Sequence, residues 1–115
     1  MGEGPEIALI LGSGLSSFAQ SLEESAEVSY SDIGYWPVSK VVGHPGTLVV
    51  GRLGGHRVAA CAGRVHMYEG HSPQSVAFPV RVLRQWGAKI LIVTNAAGGI
   101  REGFEAGDLM LIRDH

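Results

Sequence analysis

A single cysteine, Cys61, stands in this 115-residue chain. One thiol inside an apolar stretch excludes a disulfide framework and a cysteine zinc site, and it suits a reducing compartment. An excess of positive charge is missing too. Nine Lys and Arg against 11 Asp and Glu leave a net charge of −2, which gives no basic footprint for nucleic acid. Long hydrophobic runs are also lacking. The longest near the N-terminus, Ile7 to Leu11, follows Glu3 and Glu6 and is too short for a signal segment; nothing approaches a membrane span. His56, His71 and His115 have no spacing that suggests a metal, and neither H-x-x-x-H nor H-E-x-x-H occurs. The expectation is a soluble cytoplasmic protein with no metal site and no nucleic-acid or membrane partner.

Glycine is what the chain has in surplus: 17 residues, roughly twice average usage. They follow no Gly-X-Y period, so a collagen-like chain is excluded. Most come after apolar runs, where an α/β protein places its ligand loops. The length suits one small domain, and 45% hydrophobic residues argue against disorder.

Residues 7–11 form a short continuous apolar run closed by Gly12-Ser13-Gly14, which reads as a buried, parallel strand. Leu15, Phe18, Ala19 and Leu22 then repeat at helical spacing. Residues 23–46 show no period and read as a long irregular connection, the kind that tends to be functional. Two apolar segments, 48–50 and 58–60, flank Gly54-Gly55 and predict a hairpin. Ser72-Pro73 starts a helix that Gly87 stops, with Pro79 expected to kink it. Residues 90–93 predict another buried strand and residues 108–112 a final one. The fold class is therefore α/β, a mixed β-sheet flanked by helices. No helix follows the last strand to cover it. The chain reads as the front part of a larger, incomplete domain.

Three segments have the composition of a ligand site. Gly12-Ser13-Gly14 sits at a strand-to-helix turn, where backbone N–H groups, a helix dipole and the Ser13 hydroxyl favour an anion. A plain tight turn is the alternative. Neither the phosphate-loop pattern nor the third glycine of the dinucleotide pattern is present. Gly63-Arg64-Val65-His66-Met67-Tyr68-Glu69-Gly70 begins where a predicted strand ends. If that strand continues, Arg64, His66 and Tyr68 share one face. Arg64 offers a planar fork for phosphate or carboxylate, His66 can donate to an oxyanion, and Glu69 is near enough in sequence to orient His66. The competing reading is an exposed strand end. Asn95-Ala96-Ala97-Gly98-Gly99 follows a strand with small residues that let a ligand approach the backbone amides. His44, between Gly43 and Pro45, is either functional or simply solvated. The nucleophile elbow G-x-S-x-G is absent. Convergence favours the ligand-site reading over these alternatives: three strand-end loops together offer Ser, Arg, His and free amides.

In combination, Gly12-Ser13-Gly14-Leu15, Gly43-His44, Gly63 to Gly70, Phe78-Pro79-Val80-Arg81, Thr94 to Gly99 and Asp108 to His115 closely resemble purine nucleoside phosphorylase of the trimeric type. This group belongs with the methylthioadenosine phosphorylases. The resemblance runs in order from about Ile7 to His115 and makes residues 1–115 the N-terminal part of one phosphorylase domain. It implies a pentosyltransferase of purine salvage that reversibly converts a purine (deoxy)ribonucleoside and phosphate into free base and (deoxy)ribose 1-phosphate. Ser13, His44, Arg64, His66 and the Ala96 amide would hold phosphate, and His66 with Glu69 would be the catalytic pair. Tyr68, Asn95, Ala97 and Gly98 would face the nucleoside. Phosphate is a co-substrate, no cofactor is implied, and the full-length family is homotrimeric. The purine-reading residues of that family lie beyond residue 115. The isolated chain is therefore expected to be inactive, and the alternative is a non-catalytic phosphate-binding or assembly module.

Overall fold

A computed structural model describes residues 2–40 and 46–114. Five strands, β1 (Ile7–Leu11), β2 (Glu23–Ser29), β3 (Thr47–Leu53), β4 (His56–Ala62) and β5 (Ile90–Val93), form one sheet in the order β2-β3-β4-β1-β5. The helix α1 (Pro73–Trp86) connects β4 to β5. β1 is parallel to both β4 and β5, whereas β3 is antiparallel to β2 and β4. The mixed direction agrees with the sequence reading.

β1 explains why a continuous apolar run is needed. Ala8 and Ile10 face one side of the sheet, packed with Cys61, Leu48, Tyr30, Trp36 and Leu83 of α1. Leu9 and Leu11 face the other side, with Val49, Val58, Ala60, Ala19 and Leu22. A central parallel strand buried on both faces cannot alternate polar and apolar residues. Burial at Cys61 pushes the thiol up to about 11, which makes it a packing residue rather than a nucleophile.

The predicted hairpin and helix are both present. Gly54 and Gly55 have φ of 55° and 82°, the positive values a two-residue hairpin turn requires. Ser72 caps α1 by accepting the Ser75 N–H at 3.1 Å, and Pro73 occupies the first turn. The helix runs through Pro79, whose missing N–H removes one internal bond without ending the element. Among the described residues no helix is long and apolar enough to cross a membrane.

Four expectations are corrected. Residues 23–29, read as irregular, form β2. This is an exposed acidic edge strand with a register shift between Glu23 and Ala26, so it carries no apolar alternation to betray it. The stretch after Gly14 is a short 3-10 helix, Ser16–Ser21, rather than an amphipathic α-helix; Leu15 and Phe18 stay exposed while Ala19 and Leu22 are buried. β5 exists but is not buried: Ile90 to Val93 are 45–59% exposed. Residues 108–112 form no strand, and Leu109 and Leu111 are almost fully exposed. A strand needs a ladder partner to satisfy its backbone, and no described strand pairs with this segment.

Candidate functional site

Parallel pairing gathers three strand ends at one edge of the sheet. Leu11 is in register with Ala62, and Ile10 with Val93, so the loops beginning at Gly12, Gly63 and Thr94 leave side by side. This is the edge of an open α/β sheet where ligands bind.

Thr94 ties the loops together. Its N–H and its hydroxyl both donate to the Ile10 carbonyl at 3.0 Å, and its Oγ1 accepts the Gly12 N–H at 3.0 Å. The turn itself is closed by the Leu15 N–H donating to the Gly12 carbonyl. Gly12 has no alternative here, because a Cβ would lie 2.6 Å from the Thr94 carbonyl oxygen and 2.8 Å from Asn95 Cα. From the β4 side, Arg64 Nη1 donates to the Thr94 carbonyl at 2.9 Å. The Gly63 carbonyl accepts the buried Tyr30 hydroxyl at 2.7 Å, and φ of 106° at Gly63 turns the chain away from the sheet.

The strand does not continue past Ala62, so Arg64, His66 and Tyr68 do not share a strand face. A 3-10 turn, Met67–Glu69, does the work of juxtaposition. The His66 ring stacks on the exposed Tyr68 ring with centroids 4.7 Å apart and planes 16° apart. Glu69 folds back beneath them. One carboxylate oxygen accepts the His66 N–H at 2.7 Å and faces His66 Nδ1 at 3.5 Å; the other accepts the Ser39 hydroxyl at 2.6 Å. The Ser39 hydroxyl and then the His66 amide hold the Glu69 carboxyl below the usual carboxylate value of about 4.5. A carboxylate facing Nδ1 favours the tautomer with its proton there, leaving Nε2 to deal with a ligand.

Beside these loops a cavity of about 360 Å³ lies between the sheet and α1. Arg64 is its one charged lining residue, and Trp36, Met67, Val76, Val80 and Val93 contribute apolar surface. That chemistry does not suit phosphate, so the polar site is the strand-end edge rather than this cavity.

The sequence model of the phosphorylase superfamily matches residues 6–115. The chain belongs to this family. It is 55% identical to purine nucleoside phosphorylase 1 of Geobacillus stearothermophilus, over 96% of this chain and 40% of that protein. It is 50% identical to the purine nucleoside phosphorylase of Mus musculus over 96% of this chain and 38% of the mouse protein. A solved purine nucleoside phosphorylase in complex with ribose-1-phosphate superimposes with a TM-score of 0.83 at 45% identity, covering 90% of this chain and 38% of that one. The chain spans about two fifths of the length of these relatives, and relative to them its domain is incomplete.

In this phosphorylase-superfamily chain, Ser13, Arg64, His66, Tyr68 and Glu69 lie in loops that the fold carries to one edge or in the turn that follows. Asn95, Ala96, Ala97 and Gly98 follow in an exposed loop off β5. His44 lies outside the described residues. The helix dipole expected at Gly12-Ser13-Gly14 is not available there, because the element that follows is a six-residue 3-10 helix, Ser16–Ser21, and the Gly12 N–H is engaged by Thr94. Among the described residues the Ser13 and Gly14 N–H groups remain unengaged. Sequence reasoning missed Ser39 and Thr94 as site residues. Thr94 opens the small-residue segment 94–99 that the sequence singles out, whereas Ser39 lies 30 positions from its partner and carries no local signal.

Proposed function

We propose that this chain is the phosphate-binding part of a purine nucleoside phosphorylase, acting in reversible phosphorolysis of purine (deoxy)ribonucleosides to free base and (deoxy)ribose 1-phosphate. The observation that carries the reading is the convergence of three loops at one sheet edge, with Arg64 and the Glu69-backed His66 among them. Support comes from the names of the relatives and from solved purine nucleoside phosphorylases in complex with ribose-1-phosphate and, from Schistosoma mansoni, with inosine.

In this reading Ser13, His44, Arg64, His66 and the Ala96 amide hold phosphate. Tyr68 faces the sugar, and Asn95, Ala97 and Gly98 line the wall near sugar and base. Glycosidic cleavage passes through an oxocarbenium-like sugar. A phosphate dianion held against that cation is both nucleophile and electrostatic stabiliser, so the protein's task is to position it. His66, oriented by Glu69, places a ring nitrogen at the phosphate–ribose boundary. Phosphate is the co-substrate and no organic cofactor or metal enters the step. The assembly is a homotrimer in the cytoplasm.

A second reading of these 115 residues by themselves is phosphate binding without turnover. The test is phosphate-dependent inosine cleavage by the 115-residue chain and by a fusion to the downstream portion of the Geobacillus relative. Activity is expected only in the fusion. Robust turnover by the short chain would show that base activation does not need the downstream part. A folded fusion without turnover would overturn the enzymatic reading.

A further inference from the structure

The geometry points to Thr94 as a positioning residue that sets the phosphate-receiving shape of the Gly12-Ser13-Gly14 turn. This inference rests on the phosphate reading above and adds a residue to it. Thr94 is the first residue past β5, and its N–H extends the β1–β5 ladder by one bond to Ile10. Its hydroxyl then does two jobs at once. It donates to the Ile10 carbonyl, which has two lone pairs and accepts both groups, and it accepts from the Gly12 N–H. A hydroxyl can serve both partners only by keeping its hydrogen on Ile10, so its lone pair is fixed toward Gly12.

The consequence falls on the turn. With the N–H of buried Gly12 held by Thr94, Ser13 and Gly14 follow as exposed residues whose N–H groups have no partner among the described residues. Gly14, at φ 80°, supplies the reversal that a side chain would resist. The absence of a Cβ at Gly12 lets the Thr94 carbonyl approach closely, and that same carbonyl receives Arg64. Thr94 thus couples two phosphate-binding elements by different atoms: the turn through its side chain, and Arg64 through its backbone. Only the first coupling is sensitive to side-chain replacement.

Thr94→Val keeps the shape and removes the hydroxyl; Thr94→Ser restores the hydroxyl without the methyl. The two variants and the wild-type 115-residue chain are titrated with inorganic phosphate by calorimetry, with chloride as control. Gly12 amide exchange and urea unfolding are followed in parallel. Thr94→Val is expected to weaken phosphate binding about tenfold, the scale of one hydrogen bond lost to a buried donor, with Thr94→Ser close to wild type. Gly12 amide exchange should accelerate in Thr94→Val alone. Equal phosphate affinity in all three proteins would overturn the positioning role while leaving the phosphate reading intact. Equal losses of affinity and stability in both variants would reduce Thr94 to a packing residue and overturn it too. If the wild type shows no phosphate response distinct from chloride, the phosphate reading falls and this inference falls with it.

Discussion

β1 and β5 are neighbours in the same sheet, both short, apolar and parallel, yet they have opposite environments. β1 has a strand on each side and a packed cluster on each face. Among the described residues β5 has β1 on one side only, and Ile90 to Val93 stay about half exposed. Sequence alone gives these strands the same description. An apolar run states a requirement for burial, and the requirement is met only by what packs against it. Among the described residues β1 is covered; β5 and residues 108–112 are not.

The largest test of this comparison is stability. Leu83 of α1 is fully buried against the β1 face, and Leu91 of β5 is 45% exposed. Leu83→Ala should lower unfolding free energy by about 2–5 kcal/mol, the range for a buried leucine that leaves a cavity. Leu91→Ala should lower it by less than about 1 kcal/mol, since little area leaves water there on folding. Urea unfolding of both variants decides the matter, and equal losses would mean that β5 is covered after all.

A smaller effect is expected at the loops that both strands share. Arg64→Ala removes a charged donor that bridges the β4 and β5 ends, and it should weaken phosphate binding by about 1.5–3 kcal/mol. An unchanged phosphate titration would remove Arg64 from the seat and leave it as a brace on Thr94.

Glu69 gives the smallest and most selective signal. Its carboxyl is held below the ordinary value by the Ser39 hydroxyl and the His66 amide. The unfolded chain therefore binds the proton first as pH falls, so the stabilisation is complete above about 4.5 and disappears as pH drops through the folded value. The Tm of Glu69→Gln should decline less steeply on acidification below 4.5 than that of wild type. Parallel slopes would show that the Ser39–Glu69–His66 contacts do not persist in solution.

The contrast between β1 and β5 also marks how far the sequence could be read. Gly54-Gly55, Ser72-Pro73 and Gly87 were legible because turns and caps are local chemistry carried by adjacent residues. β2 was not, because an edge strand exposed to water needs no hydrophobic alternation, and its acidic Glu23 and Glu24 resemble a loop. The site divides in the same way. His66 and Glu69 could be paired from their spacing, whereas alternation along a strand gave the wrong reason for bringing His66 to Tyr68. Ser39 and the Gly12–Thr94 tie required the register of the sheet. No property of residues 12 or 39 taken alone points across 82 or 30 positions.

If the ends of β1, β4 and β5 form one phosphate seat, a phosphate titration of the isotopically labelled chain, read residue by residue in amide spectra, will show it. Saturable shifts are expected at Ser13, Gly14, Arg64, His66 and Ala96, with β2 and the Gly54-Gly55 turn silent. Shifts confined to other surfaces, or identical shifts with chloride, would contradict it.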